Sequence, residues 1–311
     1  MPRIAVVQRP PVLLDKRATM ERAVAHVDEA ARGGARFVAF PETFLPGYPT
    51  WIWRLRPGRD MALIGEIHTR LVANAIDLVR DELAPLREAA RRNETSVLCG
   101  INEIDGEFSR GTLYNTVVLI GADGEVKNRH RKLMPTNPER MVWGTGDAQG
   151  LHAVDTPIGR VGALICWENY MPLARYALYA DGMEILFSPT WDSGDAWIGT
   201  MQHIAREGRC FVVGCGTALE ASDIPSDFPG RAELFPDAAE WVNDGDSVIV
   251  DPGGKIIAGP MRREKGLLFA EIDRAAVAPA RRVLDVTGHY ARADVFQLHV
   301  RRAPMPPVVE T

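Results

Sequence analysis

The chain has little of what marks several protein classes. Its four cysteines, at 99, 166, 210 and 215, are scattered over 311 residues and form no C-x-x-C pair. That spacing speaks against a disulfide framework and against a structural zinc site. No stretch approaches the ~18 apolar residues of a membrane-spanning helix. The opening Met1-Pro-Arg-Ile-Ala-Val-Val-Gln-Arg-Pro10 holds only Ile4 to Val7 as an apolar stretch, too little for a secretory signal. Free thiols and no export signal together predict a cytoplasmic protein. No basic tract exceeds Arg129-His-Arg-Lys132 and the net charge is −5, so nucleic acid is not an expected partner. No low-complexity run or shift in composition marks a linker.

What is present is ordinary globular composition, 46% hydrophobic and 25% charged. The length allows a sizeable core in one large α/β domain or two smaller ones. The first unit reads strand, helix, strand. Arg3 to Gln8 is the strand, and Asp15 can cap a helix from Lys16 to Arg32 that Gly33-Gly34 ends. Met20, Val24, Val27 and Ala31 fall on one face of it. Arg36 to Phe40 is the next strand, stopping at Pro41-Glu42. Two helical pieces are predicted between Met61 and Arg92, punctuated by Pro85. Ser96 to Ile101 is a strand, and Gly121-Ala-Asp-Gly124 joins Leu113–Ile120 to Glu125–His130 as a hairpin.

The second half repeats this order. Val161 to Ile165 is a strand and Pro172 to Asp181 a helix. A strand over Glu184–Phe187, a helix over Asp195–Gly208 and a strand over Cys210–Gly214 follow. Pro252-Gly253-Gly254 then joins Ser247–Asp251 to Lys255–Ala258. Two such halves predict one layered α/β domain, sheets face to face with helices outside. Residues 219–246, rich in proline and without periodicity, read as a long surface excursion. Residues 301–311 read as an arm or loose end.

Three polar residues, Glu42, Lys132 and Cys166, directly follow apolar or alternating segments. Ends of strands are where sites assemble in α/β folds. Cys166 opens Cys166-Trp-Glu-Asn-Tyr-Met-Pro172, so it reads as a thiol at a strand-to-helix corner, near backbone N–H groups that favour an anion. A glutamate can take a thiol proton, and a lysine can stabilise charge developing on a substrate nitrogen or oxygen. Each also has an ordinary structural reading: a small buried hydrophobe, a turn carboxylate, a solvated charge. Spacing alone does not bring the three together. Gly214-Cys-Gly216 lacks the rest of a dinucleotide fingerprint. The residues before Cys166-Trp167 do not match a papain-type protease.

Phe40-Pro-Glu-Thr-Phe-Leu-Pro-Gly-Tyr-Pro49, His130-Arg-Lys-Leu-Met-Pro-Thr136 and Cys166-Trp-Glu-Asn-Tyr-Met-Pro-Leu173 together resemble the nitrilase family. Glu139-Arg-Met-Val-Trp-Gly144, Asp246-Ser-Val-Ile-Val-Asp-Pro252 and Gly288-His-Tyr-Ala-Arg292 extend the resemblance over about residues 3 to 300. It implies an α/β fold, a four-layer αββα sandwich with two internally similar halves, as one domain over 1–300. It also implies a site in which Glu42 is the general base, Lys132 the electrostatic partner and acid, Cys166 the nucleophile and Glu139 a second glutamate placing substrate or water. The Cys-Trp-Glu-Asn stretch is similar to the nitrilase branch rather than to amidases or carbamoylases. The expected reaction converts a small-molecule nitrile to a carboxylic acid and ammonia, with no cofactor and no metal. The backbone N–H of Trp167 is expected beside Lys132, and Tyr48 and Trp191 are expected to line the substrate pocket. A homodimer or larger homo-oligomer is expected. Alternatives are an amidase, a nitrile or cyanide hydratase and, further off, an inactive assembly protein. Two departures stand out: Gly146-Asp-Ala148 where many relatives have Gly-Asp-Gly, and no long tail after the Gly-His-Tyr motif.

Overall fold

The computed structural model describes residues 1–303. In chain order its strands are β1 (Arg3–Gln8), β2 (Ala35–Ala39), β3 (Ser96–Ile104), β4 (Leu113–Ile120), β5 (Val126–Arg131), β6 (Val154–Thr156), β7 (Gly159–Ala163), β8 (Ile185–Thr190), β9 (Phe211–Gly216), β10 (Ala218–Glu220), β11 (Trp241–Val250), β12 (Ile256–Arg262) and β13 (Gly266–Glu271). They form two sheets. The first runs β13-β1-β2-β3-β4-β5; the second runs β10-β11-β9-β8-β7-β6, with β12 also on β11. In each, three parallel strands (β1, β2, β3 and β7, β8, β9) lead into an antiparallel pair. An antiparallel strand flanks the other side, β13 on β1 and β6 on β7. The repeated order read from the sequence is therefore a repeated topology.

Each sheet has two apolar faces to cover. The inner faces meet in a core of Ile4, Val6, Phe37, Leu98 and Val117 from one sheet and Val161, Ile185, Phe187, Val213 and Ile249 from the other. Phe37 stacks on Phe187 across it, centroids 4.4 Å apart. The outer face of the first sheet packs on α1 (Lys16–Arg32) through Ala23, Val27 and Ala30, and on Leu86 and Ala89 of a helix over Ala84–Arg92. The outer face of the second packs on helices Pro172–Ala180 and Asp195–Gly208 through Leu178, Trp197, Met201 and Ile204. The layers are thus αββα, as expected. Asp15 caps α1 by accepting from the Ala18 N–H at 2.9 Å. No helix among the described residues is long and apolar enough to cross a membrane.

Several sequence expectations need correction. The stretch 219–246 is no mere surface excursion. It carries β10, a short helix Arg231–Leu234 and the start of β11. Ile224, Phe228, Leu234 and Phe235 are buried with Trp51, Ile52 and Leu71 in a separate cluster. Ile224, Phe228 and Phe235 pack there without regular backbone, so no periodicity announces them. β8 does not stop at Ser188 but runs through Pro189 to Thr190. Proline is tolerated there because β7, the neighbour on one side, pairs only as far as Phe187. β13 was not expected at all; it returns from late in the chain to pair with β1. The arm expected over 301–311 lies mostly outside the described residues.

Candidate active site

Glu42 follows β2 through Phe40 and Pro41, in a turn pressed against β3. A Cβ on Gly100 of β3 would lie 2.2 Å from the Pro41 carbonyl oxygen and 2.4 Å from the Thr43 nitrogen. Only a residue without a side chain admits that approach. Lys132 is the first residue past β5, held by its N–H donating to the Asn115 carbonyl at 2.7 Å. Glu139 sits in a 3₁₀ turn, Asn137–Met141, with its carboxylate accepting from the Thr136 N–H at 2.7 Å.

These three side chains meet, all essentially without solvent exposure. Lys132 Nζ donates to Glu42 Oε1 at 2.8 Å and to Glu139 Oε2 at 2.7 Å. Asn115 Nδ2 donates to Glu42 Oε1, and the Trp191 backbone N–H to Glu42 Oε2, both at 2.7 Å. Tyr48 donates its hydroxyl proton to Glu139 Oε1 at 2.7 Å and accepts from Trp53 Nε1 at 3.2 Å. Burial drives the Glu42 carboxyl above its ordinary range; Lys132 opposes this and Glu139 reinforces it. Burial would lower Lys132, yet the negative charges of Glu42 and Glu139 outweigh it and hold it well above a normal lysine.

Cys166 is buried in the core between the sheets and belongs to the same electrostatic unit. Burial, then the charge of Glu42, pushes its thiol up to about 12, against the pull of Lys132 and a hydrogen bond with Thr190. Its φ of 51° is left-handed, a conformation a side-chain-bearing residue holds only under constraint. The constraint is a 3₁₀ turn over Cys166–Tyr170, which stands between β7 and the helix Pro172–Ala180, so the thiol lies at the strand-to-helix corner read from the sequence. β7 ends at Ala163, and the turn is closed by side chains. Asn169 Nδ2 donates to the Cys166 carbonyl at 2.8 Å and to the Leu164 carbonyl at 3.0 Å.

Glu168 closes the turn from the other side. Its carboxylate accepts from the Ile165 N–H at 2.6 Å, the Leu133 N–H at 2.7 Å and His130 Nε2 at 3.0 Å. It therefore ties the residue before Cys166 to the residue after Lys132. Burial alone would raise its pKa, but His130 and the two N–H groups outweigh that and the net direction is down. His203, by contrast, is on the surface beside Glu207.

Of the aromatic residues singled out in the sequence, Tyr48 and Trp191 are at the cluster. Their rings stack at 4.4 Å, tilted by 3°. The Trp167 side chain lies at the rim, half exposed, with its indole N–H on Asp192 at 2.9 Å. An apolar cavity of about 220 Å³ adjoins the segments carrying Tyr48 and Glu139, lined by Trp51, Ile52, Met61, Met141 and Val142. Asn115, Glu168 and the Trp191 backbone N–H were not foreseen. Asn115 left a signal, a lone asparagine inside an apolar strand where it is disfavoured. Among the described residues no group of three or more His, Cys, Asp or Glu is arranged to hold a metal.

A family model described as carbon-nitrogen hydrolase matches residues 3–282. The chain belongs to the carbon-nitrogen hydrolase family, and within it to the nitrilases. It is 41% identical over 308 residues to an aliphatic nitrilase of Sinorhizobium fredii, an alignment covering 99% of this chain and 98% of that one. It is 40% identical over 311 residues to a bifunctional nitrilase/nitrile hydratase of Nicotiana tabacum, covering 98% of this chain and 88% of that one. The fold is that of a carbon-nitrogen hydrolase from Helicobacter pylori G27. That structure has a TM-score of 0.71 and 19% identity, covering 94% of this chain and 96% of that one.

Proposed function

We propose that this enzyme hydrolyses an organic nitrile to its carboxylic acid and ammonia, with Cys166 as nucleophile, Glu42 as base and Lys132 as acid. The observation that carries the reading is the buried convergence of Lys132 on Glu42 and Glu139 beside a constrained thiol. With its thiol pushed up by burial and by Glu42, Cys166 rests protonated at pH 7, so a resting ion pair does not supply the nucleophile. The proton must leave as the bond forms, and a carboxylate with a raised pKa is suited to take it. Sulfur bonds to the nitrile carbon, Glu42 takes the thiol proton, and Lys132 protonates the nitrogen, giving a thioimidate.

The Glu42 proton passes to Lys132 across their hydrogen bond, restoring both, and Glu42 then deprotonates the water that adds to that carbon. Breaking the carbon–nitrogen bond releases ammonia and leaves a thioester; a second water releases the acid and frees Cys166. Breaking the carbon–sulfur bond instead releases an amide. The bifunctional name of the Nicotiana relative favours keeping amide as a second product. Glu139 holds Lys132 and biases the partition, Tyr48 and Trp191 border the substrate, and the Trp167 N–H helps hold the developing charge on nitrogen. Residues 1–300 act as one hydrolase domain, working without a cofactor in the cytoplasm as a homodimer or larger assembly.

A panel of aliphatic, aryl and arylacetic nitriles tests this, with ammonia, acid and amide quantified separately. Acid with equimolar ammonia is expected, with amide as the minor product. Parental turnover by Cys166→Ala would sink the mechanism.

A further inference from the structure

Glu42 accepts from three donors, and they divide unequally. Oε1 accepts from both Lys132 and Asn115, whereas among the described residues Oε2 accepts only from the Trp191 N–H. A carboxylate oxygen takes about two hydrogen bonds in its plane. Oε1 is therefore filled and Oε2 keeps a lone pair for a proton. Without Asn115, Oε1 would answer to Lys132 alone, and the carboxylate would be free to turn onto the ammonium.

Asn115 is placed for this task. It lies in β4, is 1% exposed, and touches two members of the site at once. Its side chain donates to Glu42, and its backbone carbonyl accepts from the Lys132 N–H. The amide orientation follows from its neighbour, since only the NH₂ end can face a carboxylate. Its Oδ1, buried, has no partner among the described residues. A strand interior disfavours asparagine, and a buried unpaired acceptor costs further free energy. Packing alone does not justify the residue.

We propose that Asn115 is a positioning residue that fixes the Glu42 carboxylate as the site's base, with Oε1 occupied and Oε2 available. This rests on reading Glu42 as the base. The groups acting on Glu42 are Lys132, Glu139, Asn115 and the Trp191 N–H, with Cys166 alongside. Asn115 and Lys132 favour the charged form; burial and Glu139 oppose it.

The test is the pH profile of kcat/KM on a nitrile that the parent turns over, for the parent, Asn115→Leu, Asn115→Asp and Glu42→Gln. Asn115→Leu keeps the volume and removes the donor. Its kcat/KM should fall roughly 10- to 150-fold, the worth of a hydrogen bond to a charged group. Its acid limb should move to higher pH, because Glu42 has lost a group favouring its charge, with KM nearly unchanged. Asn115→Asp can donate to Glu42 only while protonated. Its activity should be confined to the pH window in which the two carboxyls share one proton, falling on the acid side as Glu42 is protonated and on the alkaline side as the shared proton leaves, an alkaline fall at lower pH than any in the parent. If neither variant moves a limb, whatever the loss of rate, Asn115 is structural and the proposal falls. If Asn115→Leu does not fold, by circular dichroism, the alkaline limb of Asn115→Asp decides. Full turnover by Glu42→Gln would instead overturn the reading of Glu42 as base.

Discussion

Replacing Glu168 with glutamine should cost both stability and rate, for reasons that can be counted. The carboxylate accepts the Leu133 N–H on Oε1 and the Ile165 N–H on Oε2, with His130 Nε2 shared between them. Glutamine has the same shape but only one acceptor oxygen. Whichever way its amide turns, an NH₂ faces a backbone N–H across 2.6 or 2.7 Å. One charge-assisted bond is lost, about 1.5–3 kcal/mol, and one buried N–H is left unpaired, about 1–3 kcal/mol. A loss of roughly 2.5–6 kcal/mol follows, or about 4–9 °C in Tm for a chain of this size.

The rate should suffer more than KM. Ile165 and Leu133 adjoin Cys166 and Lys132, so their separation shifts when the clamp opens. A displacement near 1 Å at reacting groups costs about 10²-fold. Thermal melting and steady-state kinetics on a nitrile measure both. Because the folded Glu168 pKa is depressed, its contribution is present above the unfolded carboxyl pKa and lost as pH falls through the folded one. The parent's Tm should therefore converge on the variant's in acid. Parental Tm and kcat in Glu168→Gln at pH 7 would refute the clamp.

Two further outcomes follow from the same geometry. Glu42 is one of the groups that raise Cys166, whereas Lys132 lowers it. Glu42→Gln should thus make the thiol more acidic while abolishing turnover: alkylation by iodoacetamide at pH 8, followed by mass spectrometry, should run faster than in the parent, and slower alkylation would contradict the assigned charges. Tyr48→Phe removes the donor to Glu139 and keeps the ring on Trp191. The fold should persist, with Tm lower by a few degrees and kcat/KM down about 10-fold or more, measured by melting and initial rates; an unchanged kcat/KM would show the hydroxyl idle.

Local chemistry was legible in the sequence where a few neighbouring residues decide it. Asp15 and Gly33 bound α1, and Asp195 and Gly208 bound a helix to the residue. The hairpins at 121–124 and 252–254 were written in glycine and proline. Partnerships over long separations were not legible. β13 pairs with β1 from the other end of the chain, and nothing in Gly266–Glu271 names its partner. The turn at Cys166 is set by Glu168, whose own charge is held by His130 from 38 residues away. Glu42, Lys132 and Cys166 were visible as candidates because each follows a strand. That Lys132 bridges two carboxylates was not, since Glu42 and Glu139 reach it from unrelated turns.

The duplicated topology explains where such turns converge. In the second sheet, the turn after β7 carries Cys166, which lies within reach of Lys132 and Glu42, turn residues of the first sheet. The matching corner of the first sheet is the end of β1, at Gln8. Its Oε1 accepts from the Ser247 N–H of β11 at 2.7 Å, and its Nε2 donates to the Met261 carbonyl of β12 at 2.6 Å. So the same crossing of a parallel strand end over an antiparallel pair occurs twice. At Gln8 every polar atom of the side chain is satisfied by backbone, which makes a structural joint. At Cys166 the joint is handed to Glu168 and Asn169, which hold the backbone from both sides, and this leaves the thiol free of structural duty. A site of this kind needs both halves: one supplies the carboxylates and the lysine, the other the thiol and the Trp191 N–H that Glu42 accepts.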